Sequence, residues 1–159
     1  MRSRRRVLAL SWIVLALTAA SCSPGYRPGL GELMSFTQMR HAKLWFAGEA
    51  RNWKLADYEL DELQEGLDDV VLYHAEHKDS PLSLTLLVPK IMSQPMKDVR
   101  EAIRAHDPAA FTAAFDALTV GCNSCHQATN FGFNVVQRPS GPSWFADQAF
   151  AATLSSDGK

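Results

Sequence analysis

Two cysteines and a histidine near the C-terminal end of the chain have the spacing of a chemical motif. They are Cys122, Cys125 and His126, in the pattern C-x-x-C-H. On a helix, residues three and four apart share a face, so both thiols and the imidazole would project to the same side. The pattern is the attachment signature of a c-type haem. We therefore expect one covalent haem c, attached through Cys122 and Cys125, with His126 as the proximal ligand of its iron.

Other chemistries also use paired cysteines, but they need features that this sequence does not indicate. A structural zinc site takes four ligands, and there is no second C-x-x-C in the chain. A redox-active dithiol of the thioredoxin kind lies near a strand–helix–strand pattern, which is not evident here. No nucleophile–base pair or peroxidase-like acid–base pair stands out either, so we assign no catalytic residues and do not expect an enzyme.

The first 22 residues have the pattern of an export signal. Arginines at positions 2 and 4–6 precede a mainly apolar run at 7–20, which is too short to span a bilayer comfortably. Cys22 follows small residues, as the lipidated cysteine of a bacterial lipoprotein does. Two outcomes therefore stay open, lipidation of Cys22 or cleavage near Ala20. In both, we expect the mature protein in the periplasm or on the outer face of a bacterial membrane, with a lipid at Cys22 as its only membrane attachment.

The charge of the mature chain bears on its partners. Four of the 16 Lys and Arg residues lie in the first 22 residues and none of the 17 Asp and Glu residues do, so the remainder carries a net charge of −5. Nucleic acid is an improbable partner for an acidic protein, whereas a basic redox partner protein would be complementary.

Apolar spacings of three and four predict helices through most of the remaining chain. We expect helices over 29–51, 53–74, about 95–106 and 108–129, and a loop over 80–94, which contains Pro81 and Pro89. Short connections favour an all-α, antiparallel up-down-up-down four-helix bundle over 23–130, followed by an extended C-terminal tail over 131–159.

In motif position and helix order, residues 29–130 resemble the class II cytochromes c, in which C-x-x-C-H ends the fourth helix of a bundle. The resemblance implies that a residue of the first helix faces the sixth coordination site of the iron. Two departures stand out. The first helix has His41 on its inward stripe, where the family commonly has Met or an apolar residue, and 33 residues follow His126.

The bundle topology gathers the candidates for the sixth ligand at the pole that holds His126, and leaves His106 at the other. His41 is the first candidate, with a buried structural histidine or a contact to a haem propionate as the alternative. Met34 shares its face, although core packing would also explain that residue. His74 and His77 are rivals at a helix end, where contacts to carbonyls or propionates are the alternative.

Three functions remain open, in this order. The first is electron transfer by a six-coordinate monohaem cytochrome, because a second protein ligand favours outer-sphere electron transfer. The second is a five-coordinate haem protein that binds nitric oxide or carbon monoxide. The third is a structural or sensory haem module of an envelope complex.

Two surface features complete the expectations. Met39, Ala42 and Phe46 lie on the outward side of the first helix, where either the aromatic tail or a homodimer interface would cover them. The second helix carries an acidic run that we expect to be its solvated face, with docking of a basic partner as the secondary interpretation. The run consists of Asp57, Glu59, Asp61, Glu62, Glu65, Asp68 and Asp69.

Overall fold

A computed structural model describes residues 26–141 and 148–151 of the chain. The predicted export signal, with Cys22, lies outside the described residues, as do Trp144 and Phe145 of the tail. Within the described residues, no helix combines the length and the apolar character needed to cross a bilayer.

The described chain forms four antiparallel helices in up-down-up-down order. They are α1 (Leu30–Glu49), α2 (Trp53–His74), α3 (Leu84–Ala105) and α4 (Pro108–Ala128). Each helix packs against the next, and contacts between α1 and α4 close the bundle. The all-α four-helix bundle predicted from the sequence is therefore confirmed, and the described part of the chain contains no strand.

The helix boundaries follow from capping residues. The side chain of Asn52 accepts a hydrogen bond from the amide of Leu55 and so caps α2. His106 adopts a left-handed conformation with φ of 54°, which ends α3. Asp107 then accepts hydrogen bonds from the amides of Ala109 and Ala110, and Pro108 occupies the first turn of α4.

In α1, α2 and α4 the core lies on the faces predicted from apolar spacing, and α3 adds a buried face of its own. The largest fully buried apolar side chains of the core are Phe111, Phe115, Leu44, Leu60, Leu63, Leu118 and Val99. Helices α1 and α4 are in close contact where Gly48 meets Phe111. A Cβ atom at Gly48 would lie 2.1 Å from Cζ of Phe111, so only glycine allows this approach.

The prediction for the third helix was wrong in its first half. Residues 80–94 were expected to form a loop, but α3 begins at Leu84 and continues through Pro89 and Pro95. Each proline removes one amide hydrogen bond from the helix. The helix persists because one face buries apolar side chains along its whole length, and this burial outweighs the local preference. The buried side chains are Leu84, Leu87, Val88, Met92, Met96, Val99, Ala102 and Ile103.

The acidic run of α2 is not simply a solvated face, which corrects a second expectation. The guanidinium of Arg40 in α1 forms ion pairs with the carboxylates of Glu59 at 3.1 Å and Glu62 at 2.6 Å. The Glu59 side chain is only 1% exposed. Arg100 of α3 bonds to Asp57 at 3.3 Å and to Asp61 at 2.8 Å. Most of the run therefore joins α2 to its two neighbouring helices.

The described part of the tail lies against α1 and α4. Arg138 donates from Nε to Asp116 of α4 at 2.9 Å, and its guanidinium carbon lies 4.6 Å from the ring centre of Trp45 in α1. Further on, Phe150 packs against Phe46 with 5.4 Å between ring centres. The described tail thus covers Phe46 on the outward side of α1, one of the three residues that either the tail or a homodimer interface was expected to cover.

Candidate functional site

A cavity of about 290 Å³ lies at the pole where α4 ends and α1 begins. Its walls are mainly apolar and come from all four helices, the α2–α3 connection and the tail. The side chains that matter below belong to α1, α4 and the connection, and they are Met34, His41, His77, Cys122, Cys125 and His126. The fold thus brings the motif and three of the four candidate sixth ligands to one cavity.

The two cysteines lie one helical turn apart in the last turns of α4, and both border the cavity. Burial raises the pKa of Cys122 to about 12, with a smaller contribution from nearby Cys125. Burial also raises the pKa of the Cys125 thiol. Both groups are therefore neutral thiols at neutral pH rather than the thiolates that redox and metal-binding cysteines use.

His126 is held by the backbone of the tail. Its Nδ1 lies 2.6 Å from the carbonyl oxygen of Asn134. A carbonyl oxygen only accepts hydrogen bonds, so Nδ1 carries the proton, and Nε2 of the neutral ring has the free lone pair. Nε2 is therefore the atom that this imidazole can offer to a metal.

His41 is buried on the inward stripe of α1, as predicted, and is 3% exposed. Burial lowers its pKa to about 4, so the ring is neutral at neutral pH. Its Nε2 lies 2.9 Å from Oγ1 of Thr119, which in turn donates to the carbonyl of Phe115 at 3.0 Å. Because the Thr119 hydroxyl donates its proton to that carbonyl, it accepts from Nε2–H of His41. The lone pair of the His41 ring is then on Nδ1.

The other candidate ligands differ in what surrounds them. Met34 and His77 border the cavity, and the His77 ring lies 5.8 Å from that of Phe131. His74 is not among the residues lining the cavity, and its Nε2 donates to the carbonyl of Pro28 at 2.9 Å. His106 stacks on Trp53 of α2 with 5.7 Å between ring centres, away from the cavity, as the topology predicts.

Three residues of the site were not predicted from the sequence. Thr119 was passed over, although it lies one turn before Cys122 on the inward face of α4. Asn123 was treated only as a spacer within the motif, yet its side chain bonds to Val136 of the tail. Asn134 acts through its backbone carbonyl, for which the residue type gives no signal.

Comparisons with known proteins found no similar protein. No family model matches the sequence, no curated protein matches the chain and no solved structure matches the fold. What the cavity can hold must therefore be inferred from the side chains that surround it.

Proposed function

We propose that this protein is an exported c-type monohaem cytochrome that transfers electrons. The observation that carries the proposal is the meeting of Cys122, Cys125 and His126 at one mainly apolar cavity, with Nε2 of His126 left free by the Asn134 carbonyl. When bound, haem would supply an iron centre that gains and loses one electron.

The thiols of Cys122 and Cys125 and the imidazole of His126 fit a covalently attached haem. Two thiols and an imidazole on one helical face match covalent attachment at two points and axial ligation at a third. The thiols of Cys122 and Cys125 would each hold the porphyrin through one thioether, and His126 would hold its iron. The apolar walls would exclude water from the iron, a factor that tunes its reduction potential.

The setting of the protein supports the same proposal. The export signal would deliver the chain to the periplasm or to the outer face of a membrane, where Cys22 would provide a lipid anchor if it is modified. The resemblance to the class II cytochromes c agrees with an electron carrier. The net charge of −5 after residue 22 favours a basic redox partner protein.

His41 remains our first candidate for the sixth ligand. Coordination through Nε2 would require it to give up the hydrogen bond to Thr119 at 2.9 Å. Met34 and His77 border the same cavity and are the nearer rivals, whereas His74 is engaged by the Pro28 carbonyl.

A second function is favoured by that same hydrogen bond. If His41 keeps its bond to Thr119, and neither its Nδ1 nor Met34 or His77 binds the iron, the sixth position would stay open within an apolar cavity. Such a site would bind nitric oxide or carbon monoxide rather than serve outer-sphere electron transfer.

The experiment that tests the proposal is covalent haem retention in the exported protein and in Cys122→Ser and Cys125→Ser variants. We expect one haem per wild-type chain that stays attached under denaturing conditions and is reversibly reduced and oxidised. Each variant should lose one of the two thioethers, and haem retention in the denatured chain should fall. Ser124→Ala, between the two cysteines, is the matched control and should retain haem fully. Two thioethers in either cysteine variant, covalent haem in a variant that lacks both cysteines, or a wild-type protein without haem would contradict the proposal.

A further inference from the structure

We propose that Asn123 is a positioning residue for His126, acting through the tail. The proposal rests on the proposed function, in which His126 binds the haem iron. Asn123 is one of the two residues between the cysteines of the motif. Its role would be to fix the tail so that the Asn134 carbonyl stays on the imidazole.

The side-chain amide of Asn123 pairs with both backbone groups of one tail residue. Its Nδ2 donates to the carbonyl of Val136 at 2.7 Å, and its Oδ1 accepts from the amide of Val136 at 2.8 Å. This is the pairing that a neighbouring strand would offer to an extended segment. The amide therefore fixes both the position and the orientation of the chain at Val136.

The segment between α4 and Asn134 is held as well. Asn130 has φ of 67°, a left-handed conformation that asparagine tolerates, and it turns the chain out of the helix. The amide of Phe131 then donates to the carbonyl of His126 at 2.7 Å, and that of Asn134 donates to the carbonyl of Phe131 at 2.8 Å. The Asn134 carbonyl thus lies between two fixed points, the end of α4 and the Asn123 amide.

This arrangement has an electronic consequence for a haem ligand. A hydrogen bond from Nδ1–H to a carbonyl fixes the tautomer and orientation of a metal-binding imidazole and raises its basicity. A more basic imidazole stabilises ferric iron more than ferrous iron. The Asn134 bond should therefore lower the reduction potential, and loosening it should raise that potential.

The two spacer residues of the motif allow a matched comparison. The hydroxyl of Ser124 donates to the carbonyl of Val120 in its own helix at 2.8 Å and has no role in holding the tail. Asn123→Ala removes both bonds to Val136, whereas Ser124→Ala leaves them intact. Asn123→Asp keeps the size of the side chain but places a second acceptor against the Val136 carbonyl, so it too should release the tail.

The test uses the full-length exported protein and these three variants. Covalent haem content and circular dichroism are measured first, followed by the midpoint potential and the exchange rate of the His126 Nδ1 proton, observed by NMR in the reduced form. We expect every protein to retain haem. Asn123→Ala and Asn123→Asp should show a higher midpoint potential and a proton exchange rate raised by about fivefold, the factor that corresponds to losing one hydrogen bond of ordinary strength. Ser124→Ala should match the wild type in both measurements.

The outcomes separate the two proposals. A wild type without covalent haem would overturn the proposed function and the role of Asn123 together. Retained haem with wild-type potential and exchange rate in Asn123→Ala would overturn the positioning role alone. If Asn123→Ala does not fold, Asn123→Asp decides in the same way.

Discussion

At the scale of single residues, the partner of His41 decides between the two proposed functions. Thr119 now holds its Nε2 at 2.9 Å, and the Phe115 ring lies 4.5 Å from the imidazole, centre to centre. The ring is buried and neutral, which is the form that can coordinate iron. Coordination exchanges one hydrogen bond, worth about 1 kcal/mol, for a metal–ligand bond.

We expect a low-spin haem that does not react with carbon monoxide in the wild type, because His41 would occupy the sixth position. In His41→Ala, the spectrum should become high-spin and carbon monoxide should bind. Thr119→Val is the matched control, since it removes the hydroxyl but keeps the imidazole, and it should stay low-spin. Visible absorption of the oxidised and reduced proteins, with and without carbon monoxide, distinguishes these states. A high-spin wild type that binds carbon monoxide would favour the gas-binding function instead.

At the same scale, the limits of sequence-based inference have a physical origin. That the motif residues and His41 lie at one end of the bundle could be predicted because their spacing assigns them to helix faces and the topology to a common end. The position of Asn134 could not be predicted, because any residue presents a backbone carbonyl and the sequence does not say where the tail folds back. Thr119 is small and half apolar, so its place on the inward face suggested packing rather than a hydrogen bond.

At the scale of the helices, the crossing of α1 and α4 sets the shape of the site. The two helices meet through Gly48 and Phe111 at one end, whereas the first half of α1 borders the cavity at the other. Phe111 is 1% exposed and also lies 6.2 Å from the ring centre of Trp45, so it has little room to move. The two helices are therefore packed tightly at this end and border the cavity at the other.

Gly48→Ala should destabilise the protein, because its methyl group would overlap the Phe111 ring. An overpacked core position of this kind costs about 1–3 kcal/mol in the free energy of unfolding. Gly31→Ala is the control, since a Cβ atom there has nothing within 4 Å and the helix gains from alanine. Denaturant unfolding of both variants measures the difference. Equal stability of Gly48→Ala and the wild type would contradict the tight crossing.

The helices also show which parts of the fold could be predicted. α2 was predicted from Trp53 to His74, as found, because its apolar spacing is regular and its neighbours give clear boundaries. The first half of α3 was missed because Pro89 argues locally for a loop. The opposing contribution, burial of Val88 and Met92 against other helices, is tertiary and cannot be read from neighbouring residues.

At the scale of the whole molecule, the tail acts as a fifth packing element. Arg138 connects Asp116 of α4 with the ring of Trp45 in α1, and the side-chain amide of Asn52 donates from Nδ2 to the carbonyl of Phe150 at 3.0 Å. The described tail therefore contacts the bundle both beside the motif and near the start of α2.

Arg138→Ala should loosen the tail with little effect on global stability. An exposed ion pair is screened by solvent and contributes little to the free energy of unfolding, and a cation–π contact at the surface adds little more. We expect faster hydrogen exchange at the amide of Val136, measured by mass spectrometry or NMR, and an unfolding midpoint close to that of the wild type. Lys97→Ala, which removes an exposed ion pair with Glu101 on α3, should leave the Val136 amide unchanged. Unchanged exchange in Arg138→Ala would show that Asn123 holds the tail without help.

The contacts of the tail span very different lengths of chain, which gives them an order of formation. The bond from His126 to Asn134 closes a loop of 8 residues, and the bonds between Asn123 and Val136 close 13, whereas that from Asn52 to Phe150 closes 98. Short loops close at a smaller entropic cost and on faster timescales than long ones. The segment around His126 can therefore assemble soon after α4 forms, while the distal anchor waits for the bundle.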